Sequence, residues 1–376
     1  MQCTMLITMR VVPILCAGLL VQAAAGQAPN QPAAEAESAL REGAHAQEQG
    51  DLNTAIADFR RAIALEPDLV EAHANLGSAL AAAGQLSAAI DEDLRTLGAA
   101  PQNEVVRMNL ALAYYRTGDW SHARTQFERL HAAHPADVNT AILLGYAYNK
   151  LSRPADSVAL LAPLESGQKN NFEFQYIYAF ALIGSGRFDE GIPRMEKLAK
   201  ERNSAEAWLA AGSARYSRQQ MEEAHIDLDE AVRLDPKLPG LQTMAGQARY
   251  AVTDESGAAR AFQAALQQDP MDFVANRDLG AIKVEQGDIA DARPLLEFAL
   301  QMHPDDPLTR IEMAKLEHQS GDNPKAREIL EDLIRKNPKW FEPHWVLAQV
   351  YSEMNRPEDA KRERNIAHEL DPKGIR

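Results

Sequence analysis

Few side chains in this 376-residue chain are spaced for chemistry. His131 and His134 stand three residues apart, a spacing that puts two imidazoles on one helix face. No third ligand joins them by spacing, and a helix C-terminus favours an imidazolium there for electrostatic reasons alone. Gly184-Ser185-Gly186 has the look of the start of a phosphate loop, but it falls in a short connector between two helical stretches. Paired acids such as Glu222 and Glu223 read as a solvated helix surface. There is no G-x-S-x-G, no G-x-x-x-x-G-K-[ST] and no H-E-x-x-H. A nucleophile, a base and an orienting group cannot be assembled, so no enzyme activity, metal or cofactor is expected.

Both cysteines, Cys3 and Cys16, lie in the first sixteen residues. There an apolar run from Val11 to Val21 follows Arg10 and ends before Ala23, Ala24 and Ala25. Residues 1–25 therefore read as a signal peptide cleaved near Ala25, too short to span a bilayer comfortably and weakened as a pattern by Pro13. Two alternatives stay open: an uncleaved N-terminal anchor, and lipidation of Cys16, although Leu15 stands where a small residue is needed. Cleavage would leave a mature, exported chain without thiols, periplasmic or extracellular, with no membrane insertion. The formal charge of −15 lacks the basic footprint that nucleic acid requires.

Behind the signal the chain repeats. Pro67, Pro101 and Pro135 are 34 residues apart, as are Pro236, Pro270, Pro304, Pro338 and Pro372, and the two series differ in phase by one residue. With this proline as position 32, ten repeats begin at Ala36, Val70, Glu104, Val138, Phe172, Ala205, Pro239, Phe273, Pro307 and Phe341. Position 8 is always Gly or Ala and position 20 always small, as two closely packed helices require. Position 24 is a large apolar knob, as in Phe59, Phe127 and Phe262, with Asp93 and Arg364 as exceptions. Gly-Asp pairs such as Gly50-Asp51 and Gly287-Asp288 end one helix and cap the next. Each repeat is thus a helix hairpin.

This pattern resembles the tetratricopeptide repeat family from Ala36 to about Gly374. The tryptophan often seen at position 4 of that family occurs only as Trp208, and Lys169 and Asn203 replace two of the prolines. The resemblance implies an all-α, right-handed superhelical solenoid of about ten tandem hairpins that binds protein or peptide partners. In that family ligands lie on the concave face, lined by positions 2, 5, 9, 12 and 13 of each first helix. Carried over, those positions are Met108, Tyr115, Arg116, Tyr146, Asn149, Lys150, Tyr176, Phe180, Tyr216 and Tyr250. They form an aromatic stripe with two cations, suited to an extended peptide; the bland alternative is that they pack neighbouring helices. The family's carboxylate clamp needs Lys at position 5 and Asn at position 9, and no repeat has both: Arg277 is paired with Ala281.

The expected organisation is a mobile linker at 26–35, repeats 1 to 4 at 36–171, a divergent repeat 5 at 172–204, and repeats 6 to 10 at 205–376. Pro163 should end or kink a helix, with Leu164 to Asn171 as a loop. The residue lost from the lattice near repeat 5 predicts either a change of path or a local distortion. Phe172, Phe174, Tyr176, Tyr178 and Phe180 alternate like a strand, but the repeat phase makes them helical. Arg364 amid Lys361, Arg362 and Glu363 suits a polar terminal cap.

Overall fold

The turn at position 15 sets the hairpin. In all ten repeats this residue has positive φ, supplied by glycine in six (Gly50, Gly84, Gly118, Gly186, Gly287, Gly321) and by Ser152, Gln219, Thr253 and Asn355 in four. A reversal there lets the following residue cap the second helix. Asp51, Asp119, Asp254, Asp288 and Asp322 each accept the N–H three residues on. Asn103, Asp137, Asn171, Asp272 and Asp306 do the same for first helices.

A computed structural model describes residues 31–371, which form twenty α-helices, one 3-10 helix and no strand. The chain divides into two compact units at Leu198/Ala199. The first contains α1 (Gln31–Glu48), α2 (Leu52–Leu65), α3 (Val70–Ala82), α4 (Leu86–Ala99), α5 (Glu104–Thr117), α6 (Trp120–Ala133), α7 (Val138–Lys150), α8 (Pro154–Leu161) and α9 (Phe172–Gly184). The boundary cuts α10 (Phe188–Arg202). The second contains α11 (Ala205–Ser217), α12 (Met221–Leu234), α13 (Leu241–Ala251), α14 (Glu255–Gln268), α15 (Phe273–Glu285), α16 (Ile289–Met302), α17 (Pro307–Gln319), α18 (Asn323–Lys336), α19 (Phe341–Glu353) and α20 (Pro357–Leu370). Within a unit each helix packs on the next, and first helices of successive repeats also meet, as α3 meets α5 and α17 meets α19.

The knob at position 24 and the small residue at position 8 interlock. A Cβ added at Gly43 would lie 2.8 Å from the Phe59 ring, one at Gly212 2.7 Å from Leu228, and one at Gly246 2.6 Å from Phe262. Phe59, Phe127 and Phe262 are wholly buried in consequence. Position 4 adds a polar bond between repeats. His73, Arg107, Gln242, Asn276 and His344 each donate to the carbonyl of the position-32 proline just before them, Pro67, Pro101, Pro236, Pro270 and Pro338. The proline carbonyl that ends one repeat is thereby tied to the first helix of the next.

Two expectations need correction. The linker assigned to 26–35 is helical from Gln31, because the alanine-rich stretch behind Pro32 favours helix and α1 runs on from it. The first half of the loop expected at Leu164 to Asn171 is a 3-10 helix, Ala162–Gly167, with Pro163 in its first turn, where its missing N–H costs nothing. Repeat 5 loses one residue because α10 ends on Asn203 with φ 48°, and the Ser204 N–H bonds back to Ala199 O at 3.1 Å. Proline, fixed near φ −65°, cannot make that turn. The alternating aromatics of repeat 5 are helical, as the phase required. Arg364 is exposed in the last helix. The segment expected to be a signal peptide, with both cysteines, Gly26 to Asn30 and Pro372, lies outside the described residues.

Candidate binding site

In the first unit, α5, the start of α6 and α7 bring three rings together. Tyr115 meets Trp120 edge-on at 5.2 Å and Tyr146 at 5.3 Å, and Trp120 meets Tyr146 at 5.6 Å. The Lys150 ammonium lies over both Tyr146 and Trp120, 5.3 and 5.9 Å from their centroids. Burial first, and then the neighbouring Tyr146, hold the Tyr115 hydroxyl well above its usual range, so it stays protonated. Trp120 was missed from sequence because it sits at position 17, on a second helix, whereas the groove positions were read only from first helices.

The other expected residues divide by environment. Tyr146 and Tyr176 are buried, and Met108 and Tyr115 pack against the core around Leu110 and Phe127. Arg116 donates to Ala81 O at 2.8 Å and Asn149 to Ile177 O at 3.4 Å, so both stitch a first helix to the neighbouring repeat. Phe180 is 38% exposed. In the second unit Tyr250 is 40% exposed, and its hydroxyl donates to Glu285 at 2.8 Å. Burial, then that bond, raises its pKa. Tyr216 is half-buried, and its hydroxyl is raised by burial and by Asp278.

The second unit also contains an open cleft of about 500 Å³ between α17 and α19, lined by Lys315, His318, Gln319, Phe341, Glu342, Trp345, Val346 and Gln349. Buried Val346 is the floor and the Phe341 and Trp345 rings lie nearly parallel, 6.4 Å apart at 22°. Lys315 is shared between Glu312, at 2.8 Å, and Glu342, at 2.5 Å. Burial alone would lower its pKa; the two carboxylates outweigh that and hold it raised. His318 Nδ1 is 2.8 Å from Asn323 Oδ1 and 3.5 Å from Glu353. Phe341 and Val346 stand at positions 1 and 6 of their repeat, whereas the other six occupy the first-helix groove positions 2, 5, 9, 12 and 13. Reading repeats 9 and 10 by those positions would have found them. Among the described residues no three potential metal ligands converge, and no helix is long and apolar enough to cross a membrane.

Family models described as tetratricopeptide repeat match residues 108–166, 180–239 and 243–307 and, separately, 283–345; one described as TPR repeat matches 48–84. No curated protein matches the chain. Among solved structures, a tetratricopeptide repeat protein from Parabacteroides merdae is 17% identical and covers 65% of this chain and 98% of its own, with a TM-score of 0.52. That likeness shows a shared fold. Yeast Tom70 is 13% identical over 89% of this chain and 92% of its own, with a TM-score of 0.35. YrrB, described as a TPR protein with an unusual peptide-binding site, is 18% identical over 47% of this chain and 92% of its own, with a TM-score of 0.40.

Proposed function

The chain belongs to the tetratricopeptide repeat family, and on that premise we propose that it is an exported, non-enzymatic scaffold or adaptor that binds a protein or peptide along the first-helix face of its repeats. The cleft between α17 and α19 carries this reading. Six of its eight lining residues stand at positions 2, 5, 9, 12 or 13, and aromatic surface there alternates with hydrogen-bonding groups. A cleft of that size and lining suits an extended segment whose side chains enter while its backbone stays at the polar rim. Phe180 and Tyr250 offer exposed rings at the same kind of position in each unit. Export rests on the apolar run from Val11 to Val21 and the alanines that follow it.

The test is a crosslinked affinity pull-down of the mature protein from its extracytoplasmic fraction, with partners identified by mass spectrometry. Phe180→Ala/Tyr250→Ala and Gln349→Trp are the informative variants, since all three positions are exposed. Tyr146 is unsuitable, because truncating a buried ring that packs on Tyr115 and Trp120 opens a cavity. A partner lost from either variant, with helix content unchanged, supports face recognition. Partners retained equally by both overturn it.

The second reading is a membrane-tethered structural subunit of a cell-envelope assembly, favoured by the same apolar run and by Cys16 if the segment is kept or lipidated. Intact-mass analysis of the membrane fraction separates the two, because a mature start near Gly26 removes both anchors.

A further inference from the structure

We propose that the cleft between α17 and α19 receives an arginine side chain of the partner, its guanidinium stacked on the Trp345 ring and paired with Glu342. The proposal rests on the binding reading above and adds the chemistry of the ligand.

Charge excludes the opposite ligand. Lys315 is the one permanent cation lining the cleft, and it already serves two carboxylates, Glu312 and Glu342. His318 faces Glu353 at 3.5 Å, and Asn323, which meets the His318 ring, also donates to Glu353 at 3.0 Å. Three carboxylates, Glu312 and Glu342 at Lys315 and Glu353 at His318, therefore contact the residues lining the cleft, against one permanent ammonium. Glu312 is left under-compensated: its Oε2 is buried without a hydrogen-bond partner, and burial raises its pKa despite Lys315. An acidic ligand would add a fourth carboxylate and compete for a lysine already taken, whereas a cation completes the set.

Shape then selects among cations. The near-parallel Phe341 and Trp345 rings form a flat apolar wall, and indole is the strongest aromatic partner for a cation. A planar guanidinium stacks on such a wall and presents its fork to a carboxylate at the edge, while a compact ammonium can do only one of these. Glu342 lines the same cleft and is partly exposed, so it remains open to a second donor beside Lys315. The chain's charge of −15 favours the approach of a basic segment.

The experiment uses the full mature chain labelled with 5-fluorotryptophan, whose four tryptophans give separate fluorine resonances, Trp345 being assigned with Trp345→Phe. Blocked serine-alanine peptides carrying one arginine, one citrulline or one glutamate are titrated to millimolar concentration, so that weak binding is still read. The arginine peptide should shift the Trp345 resonance saturably, and citrulline should weaken it about tenfold through loss of the charged pair. Glu342→Gln should do the same, while Glu328→Gln, an exposed acid removed from elsewhere on the surface, should not. Equal binding of citrulline, or tighter binding of glutamate, overturns the arginine assignment and leaves the binding reading standing. If no peptide moves Trp345, the assignment fails. If Gln349→Trp also retains every pull-down partner, the cleft has no place in the binding reading either.

Discussion

Asp93 stands against Gly77 where eight of the ten hairpins place a ring or an aliphatic knob, close enough that position 77 has no room for a Cβ. The carboxyl is wholly buried and neither oxygen has a hydrogen-bond partner. Burial first, and then the charge of Glu92, push its pKa up to about 8. The folded chain therefore holds this proton more tightly than the unfolded chain. Stability from this site is complete below pH 4 and falls as pH rises toward 8, by about 1.4 kcal/mol per unit. Denaturant unfolding followed across that window should show the loss. Asp93→Leu should abolish it and raise the midpoint, and a flat wild-type profile would contradict the account.

Gly246 and Gly98 should respond to alanine with opposite signs. A Cβ at Gly246 would sit 2.6 Å from the Phe262 ring, which has no space to retreat, so Gly246→Ala should cost about 2 kcal/mol. Gly98 is exposed on α4 with nothing within 4 Å, so Gly98→Ala should gain roughly 0.5 kcal/mol or more from helix propensity. Thermal melts of the two variants check both signs.

Thr253 holds φ at 64°, the conformation that glycine supplies at the same turn in six other repeats. A β-branched residue is strained there, so Thr253→Gly should stabilise by about 1 kcal/mol despite the entropy glycine loses on folding. A lower melting temperature for the variant would show that the hydroxyl or methyl makes a compensating contact.

His344 is buried between two partners, Pro338 O at 3.1 Å and Glu363 at 2.7 Å. His344→Ala removes the donor to the Pro338 carbonyl and to one oxygen of Glu363, whose other oxygen keeps Arg362 at 3.2 Å, and should cost about 2 kcal/mol. His368→Ala, exposed on the same hairpin, should stay within about 0.5 kcal/mol. Adding Glu363→Gln to His344→Ala should recover part of the loss, read from the same urea curves.

The hairpin register was legible because its determinants are local and repeated. Positions 8, 20 and 24 fall on facing sides of two helices joined by one short turn, so Gly246 and Phe262 can be paired by counting. Even the strand-like run from Phe172 to Phe180 gives way to that phase. Asn203 was visible as a missing proline, but its role was not, since only the backbone shows the left-handed turn that excludes proline. The segment from Gln31 to Glu35 was misjudged because composition near a terminus says little about how far the next helix extends.

The sequence alone determined the fold class, the ten hairpins, the knob-and-glycine core and the anomaly at Asp93, all products of contacts within one repeat. The tertiary structure decided which face residues remain accessible. Arg116 reaches a carbonyl 35 residues back and Asn149 one 28 residues ahead, so their roles depend on how adjacent repeats stack. Tyr146 is covered by rings from the preceding hairpin, while Phe180 stays exposed. The cleft beside Trp345 exists because α17 and α19 leave space between side chains of two repeats. Spacing along the chain names the residues that can line such a space; only packing between repeats opens it.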